Sequence, residues 1–105
     1  MDLPLQITWR GIARSDALDA AIRDKAAKLQ QFHEGIMRCR VLIELPGGHN
    51  NQGRRFGVRV ELKLPGGEIT VNREHDEDVH VALRDAFDAA RRRLQDFARE
   101  PRGAA

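Results

Sequence analysis

The sequence predicts an α+β domain of order β-α-β-β-β-α, a four-stranded mixed sheet with two helices packed on one face. Three observations predict it. Four segments alternate apolar and polar residues with period two, as half-buried strands do. Two longer segments repeat apolar residues at helical spacing. The length, 105 residues, suits one domain and is short for two.

In the first strand, residues 3–10, Leu3, Leu5, Ile7 and Trp9 share one face and Gln6, Thr8 and Arg10 the other. Pro4 is tolerated near its start. Ser15 or Asp16 can cap the helix that follows, with Asp19 in its positively charged first turn. Leu18, Ile22, Leu29 and Phe32 then recur near helical spacing, so the helix spans about residues 16–33 and stops before Gly35. His33 sits at its end, where a charged imidazole suits the dipole. Over residues 36–46, Met37, Cys39, Val41, Ile43 and Leu45 face inward. Arg38, Arg40 and Glu44 face outward, with Leu42 as the apolar exception. Residues 46–53, rich in Gly and Asn, read as a loop. The third strand, residues 54–64, turns Phe56, Val58, Val60, Leu62 and Leu64 inward and Arg55, Arg59, Glu61 and Lys63 outward. Pro65-Gly66-Gly67 is a tight turn into a short fourth strand, residues 68–73. The second helix starts near Asp76 or Asp78 and ends before Pro101. Val79, Leu83, Ala86, Phe87, Ala90, Leu94 and Phe97 form its apolar stripe, opposite Arg84, Asp88, Arg91, Arg92, Gln95 and Arg99. Residues 1–100 are thus expected to form a single domain, with residues 101–105 a frayed tail.

Two amphipathic helices need an apolar surface, and the inward faces of the strands supply it. Both helices therefore belong on one side of the sheet, leaving the other side to solvent. A helical connection between the first two strands allows a parallel, right-handed crossover. The remaining strands pair as hairpins.

Composition narrows the function. Hydrophobic residues make up 41% and charged residues 32%, a globular balance. A single cysteine, Cys39, forbids an internal disulfide. No apolar run reaches the roughly 18 residues of a membrane span, and the first residues do not read as a signal peptide, so a soluble, cytoplasmic protein without membrane contact is expected. Net charge is only +2, yet 15 of the 18 basic residues are arginines, whose planar fork suits phosphates. The charge is uneven: residues 36–66 carry net +4 and residues 67–77 net −3. A concentrated basic hairpin can follow a phosphate backbone even when the whole chain is nearly neutral.

Catalytic chemistry finds little support. His75 and His80 flank Asp76-Glu77-Asp78, but five helical residues rotate about 500°, so the two rings do not share a face. A capped helix start explains the carboxylates better than a metal. Cys39 alternates inward as a buried thiol. The loop at 47–53 lacks the Gly-Lys-Ser/Thr of a phosphate-binding loop, and no serine sits in a nucleophile elbow. No catalytic residue, metal, cofactor or small-molecule substrate is expected. Trp9, Phe56, Phe87 and Phe97 fall on apolar faces, so any RNA should be recognised by shape and phosphate rather than by single bases.

Three stretches carry a family resemblance. One is Ala17-Leu18 followed by Lys25-Ala26-Ala27-Lys28-Leu29; the second is Pro65-Gly66-Gly67-Glu68-Ile69. The third runs from Asp78-Val79-His80 to Phe87-Asp88, with Arg92 and Leu94 beyond. Their order and spacing resemble the ribosome hibernation-promoting factor and ribosome-associated inhibitor family, also called sigma-54 modulation proteins, in its short form. The resemblance implies a fold similar to double-stranded RNA-binding domains and a non-enzymatic role. It implies binding to the small ribosomal subunit between head and body, across the messenger channel and transfer-RNA sites, silencing translation under stress. Lys25, Lys28 and Arg92 match basic positions of the family. The expected RNA-binding set is Lys25, Lys28, Arg84, Arg91, Arg92 and Arg99. Arg38, Arg40, Arg54, Arg55 and Arg59 form a second basic surface. Without the C-terminal dimerisation domain of long members, a monomer or weak homodimer is expected. The alternative is a general structured-RNA binder, or a stress-response module that homodimerises through the open sheet face.

Overall fold

Backbone pairing and side-chain burial assemble the periodic segments into β1 (Leu5–Arg10), α1 (Asp16–Phe32), β2 (Arg38–Glu44), β3 (Phe56–Leu64), β4 (Gly67–His75) and α2 (Val79–Arg99). The structure, a computed structural model, describes residues 3–45, 55–75 and 77–100. The expected loop, Arg54, the cap at Asp76 and the expected tail at 101–105 lie outside the described residues.

The strands lie in the order β1-β2-β3-β4. β1 runs parallel to β2, with Leu5 opposite Cys39 and Trp9 opposite Ile43. The other two pairs are antiparallel. The connection through α1 leaves the parallel pair no simpler route. Cys39, Val41 and Ile43, then Val58, Val60, Leu62 and Leu64, then Ile69 and Val71 line one buried face. Onto it α1 places Leu18, Ile22, Ala26 and Leu29, and α2 places Leu83, Ala86, Ala90 and Leu94. α2 lies over β3 and β4, while α1 packs beside it and against β1. Burying each large aliphatic side chain contributes about 1.5–3 kcal/mol relative to leaving it in water.

The fourth strand is longer than its alternation suggested. Asn72, Arg73 and Glu74 are all exposed, which hides the period, but backbone pairing with β3 continues to His75 opposite Phe56. The hairpin between them turns on Pro65 and on Gly66, whose φ of 86° is the value a type II turn requires after proline. Gly67 is needed for space: a Cβ there would lie 2.8 Å from Cε2 of Phe97.

Two inward expectations fail at element ends. Met37 is 54% exposed, because β2 begins at Arg38 and alternation holds only within a paired strand. Ile36 takes the buried place just before it. Phe32, the last residue of α1, is 39% exposed and stands beyond the core.

The helix starts are held as their sequences require. Ser15 Oγ accepts the Leu18 N–H at 3.1 Å. Asp19 is buried and is gripped by Arg23 at 2.6 Å and Arg14 at 3.5 Å. Asp78 Oδ1 caps α2 by accepting the His80 N–H at 2.8 Å. Replacing Ser15 with Ala should cost about 1 kcal/mol and lower the melting temperature by roughly 4–8 °C, as read by thermal denaturation. At the far end of α1, Nδ1 of His33 accepts the Gly35 N–H at 3.2 Å, and the ring closes a turn.

Candidate nucleic-acid interface

Lys25, Lys28 and Phe32 follow one another at helical spacing of three and four, so they share a side of α1. That side meets α2 at Phe87, Asp88 and Arg91. Together with Leu29 and Gln31 these residues line a groove of about 570 Å³ between the helices. Three of the six expected RNA-binding residues, Lys25, Lys28 and Arg91, therefore converge, although about sixty positions separate the two helical stretches.

The electrostatics of the groove are mixed but positive. Lys28 Nζ lies 3.2 Å from the Asp24 carboxylate, an exposed pair of the kind worth little, so Lys28 is available to a competing phosphate. Among the described residues, Lys25 and Arg91 enter no ion pair. Arg91 instead stacks its guanidinium 4.7 Å from the centre of the Phe32 ring, a cation–π contact that holds it at the rim.

The other three expected residues are exposed on α2 but lie outside the groove lining. Arg84 is seven residues before Arg91, on the same stripe, and its Nε is 3.5 Å from Asp85. Arg92 and Arg99, also seven apart, occupy the neighbouring stripe and enter no ion pair among the described residues. Together these arginines extend the positive surface along α2. Arg93 has another role, donating to the Thr70 carbonyl at 3.4 Å and tying the helix to β4.

The second basic surface lies on the opposite face of the sheet. There the sequence count is partly cancelled, because acidic residues stand beside basic ones, between neighbouring strands or, for Arg59 and Glu61, along a single strand. Arg55 is 3.3 Å from Glu74 and Lys63 is 3.9 Å from Glu68. Arg59 is 2.9 Å from Glu61 and Arg10 is 3.8 Å from Glu44. Arg38 and Arg40 are exposed and enter no ion pair among the described residues. A smaller groove of about 400 Å³ runs past Gln6, Thr8, Arg40, Leu42 and Arg59 on this face. Leu42, read from the sequence as an outward exception, is only partly exposed within it.

Other chemistry-bearing residues serve the fold. His75 Nδ1 accepts the N–H groups of Glu77 at 3.3 Å and Asp78 at 3.1 Å, shaping the turn into α2. Among the described residues, no group of three or more potential ligands gathers for a metal. Cys39 is fully buried, and burial pushes its thiol from the ordinary 9.0 up to about 12. The unfolded chain loses this proton near pH 9 while the folded chain keeps it. Its contribution to stability is therefore complete below that pH and declines as pH rises toward about 12, by at most about 1.4 kcal/mol per pH unit. A Cys39→Ala variant should show a flatter fall in melting temperature across that window. The native thiol should react with DTNB only after denaturant is added.

Comparison with known proteins places this arrangement. A family model described as "Sigma 54 modulation protein / S30EA ribosomal protein" matches residues 5–101, nearly the whole chain. The chain belongs to this family. A relative from Deinococcus radiodurans, named ribosome hibernation promotion factor, is 29% identical over 92 residues. The match covers 88% of this chain and 47% of that protein, so the chain spans about half the length of the curated relative. A ribosomal subunit interface protein from Coxiella burnetii has the same fold, with a TM-score of 0.79 and 20% identity over 93% of this chain and 100% of that one. The N-terminal domain of Protein Y from Thermus thermophilus superposes with a TM-score of 0.72 and 25% identity, covering 92% of this chain and 99% of that domain. The β-α-β-β-β-α sheet with its paired helices is thus the family fold.

Sequence reasoning missed Phe32, Gln31 and Asp88 as parts of this site. Phe32 looked like one more member of the apolar stripe of α1. Its role depends on where the helix ends and on which residue of α2 stands beside it.

Proposed function

We propose that this chain is a non-enzymatic ribosome-binding factor of the hibernation type, which docks on the small subunit through ribosomal RNA phosphates and silences translation. The observation that carries this reading is the meeting of Lys25, Lys28 and Arg91 at one groove between two helices, with Arg84, Arg92 and Arg99 extending the positive surface along α2. Such a ridge supplies charged donors at several points along a phosphate backbone, and a rigid pair of helices holds them in register. The names of the relatives support the ribosome as partner. The single domain of residues 1–100 is the acting unit in this reading. The sheet face, with its cross-strand ion pairs, is not the primary RNA contact.

The reading is tested by sedimentation with purified small subunits over a salt series. Log affinity should fall linearly with log salt, with a slope of about −0.7 to −0.9 per phosphate contact. Addition of the protein to a cell-free translation reaction should lower protein synthesis in proportion to occupancy. Absence from the subunit fraction at low salt overturns the proposal. Neutralising Arg40 and Arg59 together on the sheet face should leave the slope unchanged; a decrease equal to that of the groove variants would move the contact to that face.

A further inference from the structure

Phosphate binding does not explain Phe32. The ring ends α1 with 39% of its surface in solvent, in a chain whose other phenylalanines are buried or half-buried. Arg91 covers part of it, and Lys25 and Lys28 stand two turns and one turn before it on the same side of α1. Two chemistries therefore meet in one groove: a planar aromatic surface and three cations. An apolar peptide has no use for the cations, and a bare phosphate has no use for the ring. A nucleotide presents both a π-face and a neighbouring phosphate.

We infer that the groove between α1 and α2 takes an unpaired RNA nucleotide, its base stacked against Phe32 and its flanking phosphates held by Lys25, Lys28 and Arg91. This rests on the groove being the RNA contact and extends that contact from phosphate to base. The groove, at about 570 Å³, lies within the roughly 300–1,000 Å³ range of small-ligand sites. Stacking Arg91 on Phe32 fixes the guanidinium where its N–H groups can reach a phosphate at the rim. One carboxylate, Asp88, lines the groove, and a second, Asp24, stands outside the lining. Asp24 holds Lys28, and Asp88 offers an acceptor to a base amino group or a ribose hydroxyl. Bases in a duplex keep both faces covered by their neighbours, so paired RNA cannot make the stacking contact. The inference adds a base contact at this one position to the recognition by shape and phosphate expected from the sequence.

The test titrates the full chain with two fluorescein-labelled RNAs of equal phosphate count, an oligoadenylate strand and a perfectly paired duplex, at one salt concentration by anisotropy. Phe32→Leu keeps the apolar bulk and removes the ring; Phe32→Trp enlarges it. Thermal melts confirm that both variants fold. Phe32→Leu should weaken single-strand binding roughly 5- to 150-fold and duplex binding by a much smaller factor, through the loosened Arg91 alone, while Phe32→Trp should retain the preference. Unchanged single-strand binding by Phe32→Leu, or an equal loss for both RNAs, overturns the inference. Lys25→Gln separates this outcome from failure of the wider reading. If Lys25→Gln weakens both RNAs while Phe32→Leu weakens neither, phosphate binding stands and stacking falls. If the wild-type chain binds neither RNA, both fall. Self-association that Phe32→Leu abolishes, without RNA binding, assigns the groove to a second copy of the chain and overturns the inference.

Discussion

Replacing Lys25, Lys28 and Arg91 together with Gln is expected to release the chain from small subunits. Each charged contact to phosphate contributes on the order of 1 kcal/mol net of its hydration, so the loss of three amounts to about 3 kcal/mol, or roughly 150-fold in affinity. The salt dependence should change with it. Three fewer phosphate contacts reduce the slope of log affinity against log salt by about 2–3. The fold should tolerate the triple variant, because Lys28 and Arg91 are exposed and Lys25 is only half-buried. A thermal melt close to wild type, alongside lost sedimentation, would tie the effect to the surface. Arg84→Gln should do less, since Asp85 already occupies part of its charge at 3.5 Å.

The largest expected effect on stability comes from Leu83→Ala. Leu83 is fully buried at the first turns of α2, where the helix lies on the sheet. Truncation removes three carbons and leaves a cavity that a packed helix–sheet layer cannot fully close. The cost should be about 2–5 kcal/mol, a large share of the roughly 5–15 kcal/mol that holds a domain together. The melting temperature should fall by at least about 10 °C. Met37→Ala, by contrast, should move stability by less than about 0.5 kcal/mol, because that side chain is 54% exposed. The contrast is informative because sequence periodicity alone, helical for Leu83 and alternating for Met37, would place both side chains in the core. Urea denaturation of the two variants measures it directly.

Much of the architecture was legible because its signals are local. The alternation of Leu5, Ile7 and Trp9 marks β1, and the recurrence of Leu83, Ala86, Ala90 and Leu94 marks α2, since each pattern follows from the geometry of a single element. Ser15 and Asp78 announce helix starts because a cap acts only on the next turn. The family resemblance was readable for the same reason: Lys25, Lys28, the Pro65-Gly66-Gly67 turn and the Asp78 helix start are short patterns at set spacing. Boundaries were less legible. Pairing with Phe56, far away in the chain, carries β4 to His75, and no local period reports that partner.

The sequence by itself determined the element order, the face each element buries and the family to which the chain belongs, because periodicity, capping and turn chemistry act between near neighbours. The tertiary structure alone decided which charges survive. It set Glu74 beside Arg55 and Glu68 beside Lys63, so the basic hairpin and the acidic segment that follows it partly cancel across paired strands. It also brought Arg91 over Phe32 and beside Lys25, making one cationic groove from two distant helices. The physical reason is that charge and stacking act through space over a few ångströms, and which groups stand that close is settled by how the helices and strands pack.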